Sequence, residues 1–192
     1  MSPRIIVVAG PNGSGKTTFA REFLQSYAYP YLSADEIAEA MDDRSIEDAR
    51  MHAGRIFIEQ LSERLNEKRS FLVESTLSGL SFKRTLCRAR VQGYEVTIVF
   101  LFLRSIGACL ARIRERVKKG GHPVPEQDVA RRFRRSIMNF WQEYRDLADQ
   151  WYLFYNGGVE FHEVALGEGE AVEVVDDGLF TAFLELTEES AS

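Results

Sequence analysis

Residues 5–18 read IIVVAGPNGSGKTT, and this stretch decides the fold. Ile5–Ala9 is a run of apolar, mostly β-branched residues, the pattern of a strand that is buried on both faces of a parallel sheet. Glycines follow at positions 10, 13 and 15, and a helix-forming segment begins at Lys16. The stretch therefore predicts a buried strand, a tight glycine-rich turn and a helix.

The turn fits the pattern G-x-x-x-x-G-K-[ST] at every fixed position. Glycines let backbone N–H groups turn toward phosphate oxygens, and the N-terminus of a helix adds partial positive charge. In such a turn the lysine reaches the β- and γ-phosphates and the hydroxyl after it binds Mg²⁺. A purely structural turn would need fewer glycines and no Lys-Thr pair. We therefore predict a site for ATP and Mg²⁺, formed by Gly10, Pro11, Asn12, Gly13, Ser14, Gly15, Lys16, Thr17 and Thr18.

The rest of the chain alternates strand-like and helix-like segments. Strands are predicted over Ile5–Ala9, Tyr29–Ser33, Phe71–Glu74, Glu95–Leu103 and Trp151–Tyr155, with a hairpin over Val159–Val164 and Ala171–Val175. Helices are predicted over Lys16–Gln25, Ser45–Lys68, Leu80–Val91, Ile106–Lys119, Pro125–Asp149 and Gly178–Leu186. This order indicates an α/β, three-layer P-loop fold, in which helices flank a parallel sheet. We predict one domain over residues 1–192, with its ligands at the carboxyl ends of the strands.

Composition narrows the class of protein. The 192 residues are 45% apolar and 28% charged, and the formal net charge is −5. This acidic balance disfavours a long nucleic acid as the partner. No apolar stretch is long enough to span a membrane or to act as a signal peptide. The two cysteines have no metal-ligand spacing and are expected to be buried, so we expect a reduced, cytoplasmic protein without a membrane partner.

Carboxylates follow two of the predicted strands, where ligands are expected. Asp35 comes after the second strand and is the candidate general base for an acceptor hydroxyl. The alternative for this position is a helix cap, provided by Ser33 or Asp35. Glu74 ends the third strand and is a candidate for holding Mg²⁺ through water or for binding substrate. Thr76 adds a hydroxyl there, although it could instead cap the next helix.

An arginine-rich segment over residues 112–135 is the candidate lid. Between Arg104 and Arg135 there are ten basic residues and three acids. Arg112 and Arg116 share one helix face, as do Arg131 and Arg135, and Gly120-Gly121 lies between the two helices. Such a segment can close over a triphosphate, neutralise the transferred group and exclude water. The alternative is a pair of solvated helices whose arginines pair with surface acids.

These motifs, in this order, resemble the zeta toxin family of P-loop kinases and are most similar to its compact branch. The matching stretches are AGPNGSGKTT at 9–18, SADEIA at 33–38, ESTLSG at 74–79, RVKKGGHPVP at 116–125 with Arg131-Arg132, and 151–156. The resemblance implies that ATP phosphorylates a hydroxyl of UDP-N-acetylglucosamine and that a small antitoxin protein neutralises the enzyme. It matches Asp35 to the catalytic base, and Glu74 and Thr76 to the substrate pair.

The resemblance also matches Arg116 and either Arg131 or Arg132 to arginines that stabilise the transition state. We assign Lys16, Arg116 and Arg132 to the catalytic set with Asp35. Arg112 is assigned to nucleotide binding and Arg131 to substrate binding. Glu36-Ile37-Ala38 follows the base where the longer toxins have Phe-Arg…His-Pro, and Arg55 is a candidate replacement contact to substrate. Two other functions fit the same motifs. One is a kinase of a nucleoside, another sugar or a polynucleotide end, and the other is an ATP-binding regulatory module without turnover.

Overall fold

The computed structural model describes residues 2–41, 46–121, 123–158, 160–169 and 171–191. The strands are β1 (Arg4–Ala9), β2 (Tyr31–Leu32), β3 (Phe71–Ser75), β4 (Glu95–Phe102), β5 (Gln150–Asn156), β6 (Phe161–Glu168) and β7 (Ala171–Val174). The helices are α1 (Lys16–Ser26), α2 (Ala34–Glu39), α3 (Ile46–Asn66), α4 (Ser81–Val91), α5 (Ile106–Lys118), α6 (Glu126–Asn139) and α7 (Asp177–Ala191).

All seven strands form one sheet in the order β2-β3-β1-β4-β5-β6-β7. The strands β2, β3, β1, β4 and β5 run parallel to their neighbours, and β6 and β7 add an antiparallel hairpin. The α/β fold with flanking helices is therefore confirmed, although the sheet is mixed. Strand β1, the middle one of the five parallel strands, carries the phosphate-binding turn at its carboxyl end.

Alternation along β1 divides the core between the two faces of the sheet. Ile5, Val7 and Ala9 pack into a large cluster with aromatic residues of α6 and α7, while Ile6 and Val8 join a smaller cluster under α1. Because every residue from Ile5 to Ala9 is buried, the apolar run is used on both faces, as the sequence predicted.

The predicted helix over Pro125–Asp149 is wrong in its second half. Helix α6 ends at Asn139, and a π-helical turn over Phe140–Tyr144 and a 3₁₀ turn over Arg145–Leu147 follow. The wider turn stacks Phe140 on Phe100, with ring centroids 4.2 Å apart, and buries Tyr144 completely. Packing of these two aromatic rings accounts for the departure from α-helical geometry.

Smaller differences concern the ends of elements. Strand β2 has only two residues, and it is shorter than the predicted Tyr29–Ser33. The predicted starts at Ser45 and Val159 lie outside the described residues. Cys109 is buried as expected, whereas Cys87 is exposed on α4. Among the helices that the structure describes, none combines the length and the apolar character that crossing a membrane would require.

Candidate active site

The turn between β1 and α1 needs its glycines for two physical reasons. Gly13 and Gly15 have φ values of +83° and +97°, a region that residues with a Cβ rarely adopt. A Cβ at Gly13 would lie 2.7 Å from the carbonyl oxygen of Cys109, and one at Gly15 would lie 2.3 Å from Nδ2 of Asn156. The loop is therefore packed tightly between α5 and the end of β5, and its conformation is fixed from both sides.

Polar groups inside the turn suit a phosphate ligand. Asn12 Oδ1 and Ser14 Oγ are buried and have no hydrogen-bond partner among the described residues. Lys16 Nζ is also buried and donates to the carbonyl oxygen of Pro11 at 3.1 Å. The Ser14 hydroxyl and the Lys16 ammonium are donors, so a bound anion would supply a partner for both, whereas the Asn12 amide oxygen is an acceptor and needs a donor or a cation. The residues predicted for ATP thus form a cradle of the right chemistry.

Glu74 is the centre of a buried polar network beside the turn. Its side chain is 6% exposed, and its Oε2 accepts hydrogen bonds from Thr17 Oγ1 at 2.9 Å and from the Tyr31 hydroxyl at 2.6 Å. Lys16 Nζ lies 3.8 Å from its other oxygen, Oε1. Burial raises the pKa of Tyr31, and the nearby charge of Glu74 raises it further, so Tyr31 remains a hydrogen-bond donor. Glu74 thus contacts Thr17, the other residue predicted for the Mg²⁺ site, and it also contacts Tyr31, which the sequence analysis did not single out.

Two adjoining cavities meet at this network. The P-loop cavity is about 1120 Å³ and is lined by the glycine-rich turn, by Arg112 and Arg116 of α5, and by Asn156, Gly158, Glu160 and Phe161. The arginine cavity is about 460 Å³ and is lined by Thr76, by Ser78 and by arginines of α6. Four residues line both cavities: Lys16, Ser33, Asp35 and Glu74. A ligand in either cavity would therefore contact the same charged residues at the junction.

Asp35 lies in the first turn of α2, directly after the carboxyl end of β2. The cap of α2 is Ser33, whose Oγ accepts from the backbone N–H of Glu36 at 3.4 Å, so Asp35 is not used as the cap. Asp35 is exposed and makes no ion pair with a residue in the described part of the chain. Its carboxylate is therefore available at the junction of the two cavities, as a general base requires.

The structure separates the lid arginines into two groups. Arg112 and Arg116 line the P-loop cavity, whereas Arg131, Arg132 and Arg135 line the arginine cavity. Arg116 and Arg132, predicted to act on the same transferred group, thus line different cavities. Arg55 is exposed on α3 and is not among the residues that line these two cavities.

Asn156, at the end of β5, is a site residue that the motif analysis did not single out. It is 7% exposed, and its Nδ2 donates to the carbonyl oxygen of Ser14 at 2.9 Å. Arg112 donates back to Asn156 O at 3.0 Å and to Asn156 Oδ1 at 3.1 Å. One amide therefore connects the phosphate-binding turn to a lid arginine. In the sequence, the signal that could have identified Asn156 is its position at the carboxyl end of a predicted strand.

The loop that carries Thr76 is held by three side chains of α6 and the following π turn. Ser136 donates to the carbonyl oxygen of Thr76, Asn139 Nδ2 to that of Leu77 at 2.9 Å, and the Tyr144 hydroxyl to that of Gly79. Leu77 has a φ of +50°, so the loop adopts a conformation that its residues disfavour. These three bonds explain how the conformation is stabilised, and they attach the loop to the helix that bears the cavity arginines.

The described part of the site contains no preformed metal cage. Within the described ranges, no group of three or more His, Cys, Asp or Glu side chains could hold a metal ion. Mg²⁺ in phosphate-transfer sites is usually held by one or two protein groups together with substrate phosphates and water. Thr17 and Glu74 fit that limited role.

Comparisons with known proteins agree with this architecture. An uncharacterized protein of Haemophilus influenzae is 33% identical over 133 residues, which cover 69% of this chain and 94% of the relative. The fold is similar to a chain of the AvrRxo1-ORF1:-ORF2 structure with ATP, with a TM-score of 0.77, 16% identity and 97% of this chain covered. This chain spans only 64% of that one.

Two further solved structures have the same fold. A chain of the PezAT toxin–antitoxin system of Streptococcus pneumoniae gives a TM-score of 0.63 at 16% identity, covering 99% of this chain and 86% of that one. Shikimate kinase from Bacteroides thetaiotaomicron gives a TM-score of 0.54 at 15% identity, covering 98% of this chain and 99% of that one. The family described as AAA domain matches residues 5–137, from β1 through most of α6. On this match the chain belongs to the AAA domain family, and its fold is similar to that of the shikimate kinase.

Proposed function

We propose that the protein is a Mg²⁺-dependent kinase that transfers the γ-phosphate of ATP to a hydroxyl of a small anionic acceptor. The observation that carries the proposal is the junction of the two cavities, where Lys16, Asp35 and Glu74 line both. ATP bound in the P-loop cavity would present its γ-phosphate to this junction. An acceptor in the arginine cavity would present its hydroxyl to Asp35, which would take the proton as the phosphoryl group is transferred.

The charge of the arginine cavity supports an anionic acceptor. Arg131 is paired with Asp128 at 2.7 Å, but Arg132 and Arg135 have no ion pair among the described residues. Arginine binds phosphate and carboxylate groups through paired donors, so two uncommitted guanidinium groups favour a ligand with such a group. A UDP-N-acetylglucosamine-type nucleotide sugar has a hydroxyl and a diphosphate, and it is the first acceptor that we propose.

A biological role as a toxin is part of the same proposal. One structure with this fold is a complex of AvrRxo1-ORF1 with AvrRxo1-ORF2, and another comes from a toxin–antitoxin system. We propose that a small antitoxin protein similarly neutralises this kinase in the cytoplasm. Expression in a bacterial host should then arrest growth, and an inactive Asp35 variant should not.

The direct test is a transfer screen with γ-labelled ATP and Mg²⁺ across UDP-sugars, nucleosides, other sugars and oligonucleotides. Asp35→Asn should lower transfer by about 10²- to 10⁴-fold, because a general base contributes a factor of that order. Nucleotide binding should be retained in this variant, since the cradle is intact. Asp177→Asn, on α7 and away from both cavities, is the matched control and should behave as the original protein.

Lys16→Ala should remove both nucleotide binding and transfer. Labelling of a nucleoside or an oligonucleotide alone would replace the proposed acceptor. If ATP binds but no acceptor is labelled, and Asp35→Asn changes nothing that can be measured, the protein is an ATP-binding module and the kinase proposal is wrong.

A further inference from the structure

The strand β2 contributes a tyrosine to the polar network, and no motif accounts for it. Tyr31 is half-buried, and its hydroxyl donates to Glu74 Oε2 at 2.6 Å, the shorter of the two hydrogen bonds that this oxygen accepts. The neighbouring strand β3 carries Glu74, and the register pairs Tyr31 with Leu72, two residues before the carboxylate. Adjacent parallel strands thus bring a buried phenol and a buried carboxylate together.

The second donor to the same oxygen is the hydroxyl of Thr17, at 2.9 Å. A hydroxyl that donates its hydrogen to a carboxylate keeps both oxygen lone pairs for other partners. Glu74 therefore orients the Thr17 oxygen so that it can bind a cation in the P-loop cavity. This orientation holds only while the carboxylate itself stays in place.

We propose that Tyr31 is a positioning residue for the Mg²⁺ site, acting through Glu74 on Thr17. The inference rests on the proposed Mg·ATP site. Three observations support it: both hydroxyls donate to one oxygen, all three side chains are wholly or partly buried, and Lys16 lies on the opposite oxygen at 3.8 Å. A carboxylate held from both sides cannot rotate without losing a hydrogen bond that water cannot easily replace.

The test measures nucleotide binding without any acceptor. The dissociation constant of a non-hydrolysable ATP analogue is determined by calorimetry in excess EDTA and in saturating Mg²⁺. The ratio of the two values is the Mg²⁺ enhancement of binding. Tyr31→Phe should lower this enhancement by about 10- to 100-fold, as the loss of a group supporting a metal ligand does, while binding in EDTA stays within about twofold.

Tyr152→Phe is the matched control, because Tyr152 packs against the same hydrophobic cluster as Tyr31 and is not among the cavity-lining residues. It should keep the full enhancement. In a Glu74→Gln background, adding Tyr31→Phe should change the enhancement little, because Tyr31 acts through the carboxylate. If Tyr31→Phe lowers the Mg²⁺ enhancement by the same factor in the wild-type and the Glu74→Gln backgrounds, the inference is overturned.

A lower melting temperature for Tyr31→Phe with an unchanged Mg²⁺ enhancement would also overturn it, because the tyrosine would then only stabilise the fold. This failure would leave the kinase proposal standing. Conversely, if no acceptor is labelled but Tyr31→Phe loses the Mg²⁺ enhancement, the kinase proposal fails and the role of Tyr31 stands.

Discussion

Replacing Asn156 with alanine should weaken the nucleotide site from a position outside the phosphate-binding turn. The Asn156 side chain makes one buried hydrogen bond to the Ser14 carbonyl oxygen, at 2.9 Å. Leaving a buried acceptor unpaired costs about 1–3 kcal/mol. Arg112 keeps the backbone oxygen of residue 156 as a partner, so the loss is confined to the turn. A domain of this size loses roughly 2–4 °C of melting temperature per kcal/mol, so we expect a fall of about 2–12 °C.

The same loss should appear in ADP binding. If the whole free-energy loss of about 1–3 kcal/mol weakens phosphate binding by the turn, the dissociation constant of ADP rises about 5- to 150-fold, because about 1.4 kcal/mol is tenfold. Differential scanning fluorimetry and calorimetric titration with ADP measure the two effects. Asn66→Ala, at the exposed end of α3, is the control, and it should change neither the melting temperature nor the ADP dissociation constant by much.

Asn156→Asp separates the hydrogen bond from the packing, because the side chain keeps its shape. A carboxylate oxygen would then face the Ser14 carbonyl oxygen, while its attraction to Arg112 increases. We expect ADP binding to weaken as in the alanine variant. Wild-type ADP affinity in both variants would show that Asn156 does not hold the turn, and the reasoning would be refuted.

Two further substitutions test the arginine cavity. Asn139→Leu removes the donor to the Leu77 carbonyl oxygen and should lower the free energy of unfolding by about 1–3 kcal/mol. Urea denaturation measures this loss, with Asn66→Leu as the exposed control. Equal stability of the two variants would contradict the assigned hydrogen bond. Arg132→Ala should raise the KM of an anionic acceptor by about tenfold or more without changing ADP binding. Arg134→Ala, outside the cavity, should leave the acceptor KM unchanged. If both variants raise the KM equally, Arg132 does not bind the acceptor directly.

The parts of the site that the sequence predicted are those fixed by local pattern and by strand ends. The apolar run Ile5–Ala9 and the glycine spacing determine β1 and the turn by themselves. Asp35 and Glu74 could be placed together because β2 and β3 are short, parallel and adjacent, so their carboxyl ends meet. In each case a short stretch of chain contains all the information that is needed.

The parts that could not be predicted depend on contacts between distant residues. Asn156 and Ser14 are 142 positions apart, and neither belongs to a pattern that specifies the other. The partnership of Tyr31 with Glu74 depends on the register of two strands, and a shift of one residue would turn the phenol to the other face. Likewise, the π turn at Phe140–Tyr144 follows from packing against Phe100, whereas the local helical spacing of its aromatic residues continued the α pattern.

Strand order gives the proposed reaction a direction along the sheet. The phosphate-binding turn follows β1, the middle one of the five parallel strands. Asn156 ends β5 on one side of it, and on the other side Glu74 lies near the end of β3 and Asp35 follows β2. Neighbouring strands are about 4.8 Å apart, so Asn156 and Asp35 are separated by several strand widths. The two cavities adjoin on the side of β1 that carries β3 and β2, where Lys16, Glu74 and Asp35 line both. Substitutions on the β5 side should therefore change nucleotide binding alone, and substitutions of arginine-cavity residues should change acceptor kinetics alone. Lys16 and Glu74, which line both cavities, should affect both, as should Tyr31 through its hydrogen bond to Glu74. A variant such as Arg132→Ala that altered ADP affinity as much as acceptor KM would contradict this division.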